Sequence, residues 1–337
     1  MYTEKERLLR VLWGKEVDRP PVICPGGMMN GCVSEVLKRI PLKKDVLIER
    51  EQIREAALLT KQLTGFENIG VPFCMTVEAE CMGAKVDYGN VQVEPRVIQY
   101  CEESSFEDFL TNPKRFMEEH RAKEVIEAIR MLRNPSTPVI GNLTGAVSTL
   151  TSVFDPLFIL KKMRKSPLEI EKALEQVNCF LIDFGRAMIE AGADVIAVSD
   201  PTATGEILGK ANFDKFVVPL YQNLVEAMNQ QGAPVILHIC GNTSSIFESL
   251  NQIQAQGVSF DSVVNMNAAR KAIGAPLIGN VNTQLLHQGT EEQIFKMTQK
   301  CMDNQLAIIA PACGLSMETP VEHLKIMTEC VKGNKVE

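Results

Sequence analysis

The chain has 337 residues, 45% of them hydrophobic and 23% charged, with a formal net charge of -7. Its apolar runs are shorter than the roughly 20 residues needed to cross a bilayer, and its interspersed charges offer no basic stripe for a phosphate backbone. The expectation is a soluble cytoplasmic protein with no membrane or nucleic-acid partner, folded as a single domain over 1–337 because no composition break suggests a linker.

In chain order, a helical extension at the N-terminus is followed by short β-branched runs that end in Gly, Pro, Asn or Asp and alternate with amphipathic segments. Eight runs read as strands: "PPVICPG" (20–26), "ENIGVP" (67–72), "PVIGNLTGA" (138–146), "DVIAVSDP" (194–201), "PVILHICG" (234–241), "SFDSVVNM" (259–266), "APLIGNV" (275–281) and "AIIAPACG" (307–314). Stretches 49–65, 212–232 and 290–305 carry apolar residues at helical spacing. Eight βα units predict a (β/α)8 TIM barrel. The alternative, a doubly wound open sheet, lacks a G-x-G-x-x-G after its first strand.

Ten cysteines at irregular spacings fit reduced thiols better than a disulfide framework. Cys24, Cys32, Cys74, Cys81, Cys101, Cys179, Cys301 and Cys330 are expected as packing residues, and the methionines of Gly26-Gly27-Met28-Met29 as part of a soft apolar lining. Cys240 and Cys313 stand apart. Each precedes a glycine at the end of a predicted strand, and His238 shares a strand face with Cys240 because side chains alternate.

Two thiols and an imidazole suit zinc, and three protein ligands leave the open position of a catalytic site. The cysteines are 73 positions apart, too far for a zinc finger, but a barrel brings strand ends to one rim. Asp261, the only carboxylate in "SFDSVVNM", could supply a fourth ligand. Zinc would make an incoming thiol a thiolate at neutral pH, which suggests alkyl transfer to a thiol; hydrolysis would also need a general base beside bound water. The bland alternative is a buried histidine and two packing thiols. His120, His287 and His323 lack such a context and read as surface or capping residues.

The stretches "ERLLRVLWGKEVDRPPV" (6–22), "AGADVIAVSDP" (191–201), "VILHICGN" (235–242), "IGNVNT" (278–283) and "IIAPACG" (308–314) resemble the uroporphyrinogen decarboxylase superfamily, and within it the methylcobamide:coenzyme M methyltransferases. The resemblance runs nearly end to end. It implies that His238, Cys240 and Cys313 bind Zn2+, with an acidic residue about 21 positions after the first cysteine, here Asp261, completing the shell. It further implies a methyl donor in the form of a methylcobamide, held by a corrinoid protein docked at the C-terminal face, and attack by a thiolate such as coenzyme M. The decarboxylase branch fits less well, because its carboxylate-gripping arginines are missing from 21–38.

A coenzyme M-like acceptor needs an anion site. "GNLTGAVST" (141–149), with Thr144 and Ser148 at a helix start, is one expectation, set against ordinary capping. Asp200, before Pro201, could orient a ligand or a metal ligand, or brace a turn. Glu78 and Glu80 are expected only to start a helix. Other readings are the same zinc chemistry with a thioether, methoxylated or folate substrate, a decarboxylase-like enzyme, and a non-catalytic corrinoid-binding protein.

Overall fold

The computed structural model describes residues 2–25, 31–42, 47–113, 117–118 and 121–333, so Met28, Met29 and His120 lie outside the described residues. In chain order the strands are β1 (Ile69–Val71), β2 (Lys85–Asp87), β3 (Arg96–Gln99), β4 (Val139–Thr144), β5 (Val195–Ser199), β6 (Val235–Ile239), β7 (Gly257–Phe260), β8 (Leu277–Val281) and β9 (Ile308–Pro311). Seven form one curled parallel sheet in the order β1-β4-β5-β6-β7-β8-β9, and β2 and β3 form a separate antiparallel pair. Parallel neighbours need crossover connections, and helices supply them.

The expected first strand is present as a bridge. Val22 pairs with Ile309 on β9, the Glu67 amide donates to the Val22 carbonyl, and the Asn68 side chain bonds the Cys24 backbone in both directions. The segment thus lies between β9 and β1. Pro20, Pro21 and Pro25 have no N–H to extend that ladder.

The predicted strand 259–266 is a correction: the strand is Gly257–Phe260, and the chain turns at Asp261. Asp261 Oδ1 accepts from the Val263 amide at 3.2 Å, and the Asn265 side chain caps a helix over Met266–Ala272. Asp and Asn draw nearby amides away from the ladder, which outweighs the β preference of Val263 and Val264. The expected helix 212–232 is interrupted by a π turn over Phe213–Val217, just ahead of Pro219. A proline ring cannot sit in an undisturbed α-ladder. The β2/β3 hairpin and the 25-residue helix Pro167–Ala191 were not anticipated.

Two apolar clusters lie on opposite faces of the sheet. Val235, Leu237 and Ile239 of β6 pack outward in the larger cluster beneath the helices. The smaller cluster, on the inner face, gathers Ile23, Ile140, Ile236, Ile278 and Ile308 around Leu8, Val11 and Leu12 of helix Glu4–Leu12. That helix starts in a capping box between Thr3 and Glu6. Its three buried apolar residues, at i, i+3 and i+4, close off the N-terminal end of the inner face. Further along the strands the inward positions turn polar: Asn142, Thr144, Ser199, His238 and Ser259, all buried.

Of the cysteines expected to be packing residues, Cys24, Cys32, Cys74, Cys81, Cys301 and Cys330 are buried, Cys101 is half-buried and Cys179 is exposed.

Candidate metal centre

Alternation along β6 turns Ile236, His238 and Cys240 to the inner face. His238 pairs with Ser199 on β5 and with Ser259 on β7. Just past the strand, Gly241 has φ +70, a conformation that suits glycine, and a Cβ there would come within 2.8 Å of Glu206 Oε2. The second thiol follows β9 on Ala312-Cys313-Gly314.

The three side chains converge. His238 Nε2 lies 3.2 Å from Cys240 Sγ, the two sulfurs are 3.2 Å apart, and all three ligand atoms fall within 4.8 Å of one another. The other ring nitrogen, Nδ1, is 3.1 Å from Ser259 Oγ. His238 is buried while both cysteines are half-buried.

The hydrogen bond from Cys240, with help from His238, lowers the Cys313 thiol against its burial. The thiolate at Cys313, together with burial, pushes Cys240 far up.

The donor set fits zinc. A tetrahedral ion with Zn–S near 2.3 Å and Zn–N near 2.0–2.1 Å spaces its ligand atoms by roughly 3.5–3.8 Å. The observed contacts need to open by only a few tenths of an ångström.

Asp261 is outside that group. Its Oδ2 accepts from the Gly241 amide at 3.1 Å, so its role in the structure is to brace the turn that follows Cys240.

The helix Ala146–Val153 begins against carboxylates of the chain itself. Asp200 accepts from the Val147 and Ser148 amides at 3.0 and 2.9 Å and from the Ser148 and Tyr221 hydroxyls. Glu78 accepts from the amide and hydroxyl of Thr144, both at 2.8 Å. The donors that sequence reasoning offered to a substrate anion are therefore engaged internally. Burial raises the Glu78 carboxyl, and burial with Asp200 drives the Tyr221 hydroxyl well up.

Glu80, expected only to start a helix, receives the buried Arg121 at 2.6 Å. That guanidinium also reaches Cys74 Sγ at 3.2 Å and Thr76 Oγ1 at 2.8 Å. His323 Nδ1 lies 2.8 Å from the Leu286 carbonyl oxygen, and His287 is 3.9 Å from Glu318; neither joins a ligand cluster.

Sequence reasoning missed Ser259 and Tyr221, and gave Glu78 only the helix start where it lies, not its bonds to Thr144. Only the register of β6 and β7 could have pointed to Ser259. Nothing local in the sequence marks the other two.

Residues 3–333 match the family described as uroporphyrinogen decarboxylase (URO-D). The methylcobamide:CoM methyltransferase MtbA of Methanosarcina acetivorans is 29% identical over 344 residues, covering 99% of each chain. The methylcobamide:CoM methyltransferase MtaA of Methanosarcina barkeri is 28% identical over 333 residues, covering 97% of this chain and 96% of the relative. A solved methyltransferase from Methanosarcina mazei superposes with TM-score 0.91 at 27% identity, covering 99% of both chains.

Proposed function

The chain belongs to the uroporphyrinogen decarboxylase family, and within it we propose that it is a zinc-dependent methyltransferase moving a methyl group from a methylated corrinoid to a small thiol such as coenzyme M. The observation that carries this reading is the convergence of His238, Cys240 and Cys313 within 4.8 Å. The full-length similarity to methylcobamide:CoM methyltransferases supports it. The fold is read as one (β/α)8 barrel over the whole chain, closed by the segment between β9 and β1 and plugged at its N-terminal mouth by helix Glu4–Leu12. Its site then lies at the C-terminal rim, where such barrels work. The corrinoid protein docks on that face.

His238 Nε2, Cys240 and Cys313 would hold the zinc. Once bound, the ion supplies Lewis acidity that makes an incoming thiol a thiolate at neutral pH. Ser259 accepts the Nδ1 proton of His238 and so leaves Nε2 free as a ligand. Asp261 and Gly241 fix the loop that carries Cys240, and Asp261 would complete the shell only by giving up that amide. Asp200, Tyr221, Thr144 and Ser148 form a rigid polar wall beside the site. In this reading they position the rim and do not themselves hold the substrate's anionic end. The chain's contribution is orientation, bringing methyl donor and thiol into line.

The test is zinc content of anaerobically purified protein, measured alongside demethylation of methylcobalamin with and without 2-mercaptoethanesulfonate. Stoichiometric zinc and thiol-dependent demethylation are expected. Zinc should be lost in His238→Ala, Cys240→Ser and Cys313→Ser and kept in Asp261→Asn. Full zinc retention in the three ligand variants would remove the centre.

A further inference from the structure

The two thiols of the proposed centre meet each other as well as an ion. Cys240 Sγ and Cys313 Sγ are 3.2 Å apart and hydrogen-bonded across 73 residues of chain. A tetrahedral ion with Zn–S near 2.3 Å spaces two sulfurs by about 3.8 Å, whereas a disulfide joins them at about 2.05 Å. From 3.2 Å the pair opens by about 0.6 Å to take the ion or closes by about 1.2 Å to form the bond. These displacements are opposite, and a thiolate, not a disulfide sulfur, is the metal ligand. One pair of cysteines therefore cannot hold zinc and be bonded to each other.

Both cysteines stand where a shift of that size is tolerated. Cys240 follows β6, which ends at Ile239, and Cys313 follows β9, which ends at Pro311. Each precedes a glycine, and loop backbone gives more readily than strand backbone. His238, by contrast, lies on the strand and is tied to Ser259. The pair also differs in exposure from six of the other thiols. Cys240 and Cys313 are half-buried, while Cys24, Cys32, Cys74, Cys81, Cys301 and Cys330 are buried, and buried structural thiols are inert.

We propose that the centre is a redox switch, in which Cys240 and Cys313 become a disulfide by exchange with the disulfide of a small thiol, excluding zinc and stopping methyl transfer. The inference rests on the methyltransferase reading, because the route that brings a small thiol to the ion also brings the oxidised form of such a thiol. In the first step one cysteine thiolate attacks a sulfur of the small disulfide, forming a mixed disulfide and expelling one small thiolate. In the second, the neighbouring cysteine, already 3.2 Å away, attacks the protein-bound sulfur of that mixed disulfide as a thiolate. The Cys240–Cys313 bond forms and the second small thiolate leaves. The protons once carried by the two cysteines go to the expelled thiolates, and the two electrons taken from the protein sulfurs reduce the small disulfide. Of the three ligands only His238 then remains, and a single imidazole does not retain the ion. An oxidised thiol pool thus turns the site off, and reduction restores it.

The experiment treats metal-free and zinc-loaded protein, both anaerobic, with 2-hydroxyethyl disulfide, and follows peptide maps, intact mass and zinc release to a chromophoric chelator. Besides any adduct at the exposed Cys179, the metal-free wild type is expected to lose two hydrogen atoms in mass and to yield one crosslinked peptide pair joining Cys240 to Cys313. Free zinc at about 100 times its dissociation constant should slow that crosslink by about 100-fold, because only about 1% of the sites are then open. Zinc should leave in step with crosslinking, and dithiothreitol followed by fresh zinc should restore both thiols and stoichiometric metal. Cys240→Ser and Cys313→Ser should stop at the mixed disulfide on the remaining thiol; if a variant fails to fold, the peptide map of the wild type decides alone. A wild type that stops at mixed disulfides, or that crosslinks other cysteines, would overturn the switch and leave the zinc chemistry standing. So would a crosslink that leaves bound zinc in place. Protein that crosslinks Cys240 to Cys313 but binds no zinc when reduced would overturn both the switch and the metal reading on which it rests.

Discussion

Replacing Ser259 with alanine tests whether the centre depends on a residue that is not a ligand. The hydroxyl lies 3.1 Å from His238 Nδ1, and His238 and Ser259 are 2% and 1% exposed, so bulk water cannot replace it. Nε2 can bind a metal only if the ring proton sits on Nδ1, and Ser259 Oγ is the acceptor that keeps it there. Without that acceptor the metal-binding tautomer leaves a buried N–H unpaired, at about 1–3 kcal/mol. The ring also loses its rotational restraint. Outer-shell partners of metal-bound histidines are typically worth 10- to 100-fold in affinity, in line with that cost at about 1.4 kcal/mol per tenfold. Zinc affinity, measured by competition with a chromophoric chelator under anaerobic conditions, should therefore fall by about 10- to 100-fold in Ser259→Ala. Ser259→Thr should recover most of it. Denaturation of the metal-free proteins separates lost folding stability from lost affinity. Affinity within twofold of wild type in Ser259→Ala, or a threonine variant as weak as alanine, would refute the reasoning.

Two further predictions concern the scaffold. Arg7 holds the Asp18 carboxyl down at about 2, below its unfolded value near 3.9. The pair thus adds stability above the unfolded pKa that fades as pH falls toward the folded one. With the Asp18 side chain 35% exposed, screening limits the gain to about 1 kcal/mol or less. Urea unfolding of Asp18→Asn should show its deficit at pH 7 and a shrinking one from pH 5 downward; a deficit independent of pH would contradict the linkage. At the other end of the molecule, Arg121→Met should cost about 3–5 kcal/mol because it strands a buried Glu80, whose side chain is 8% exposed. Arg121→Met combined with Glu80→Leu should recover most of that loss in the same assay, and a double variant no more stable than the single one would count against the pairing.

The cluster of His238, Cys240 and Cys313 was legible in the sequence because its signal is local. Alternation on a strand puts His238 and Cys240 on one side, and a thiol before a glycine marks a strand end at both 240 and 313. The parallel sheet was legible for a similar reason: each βα unit announces itself through its own periodicity and its own breakers. Local signals also misled. In "SFDSVVNM" the β-branched pair Val263-Val264 suggested a strand, whereas Asp261 and Asn265 captured the neighbouring amides and made a turn.

Register and pairing across the fold settled the rest. Ser259 becomes the partner of His238 only when β6 and β7 are aligned. Asp200 fills the start of helix Ala146–Val153, and Glu78 the end of β4, only because β5 and the helix after β1 bring them there. Thr144 and Ser148 offer hydroxyls wherever the chain lies, and a free donor differs from an engaged one only in what packs against it. By itself the sequence determined which chemistry the chain could carry, since ligand type and strand parity are properties of single residues and their near neighbours. The tertiary structure alone decided which polar groups are spent on one another, because hydrogen-bond satisfaction depends on partners distant in sequence.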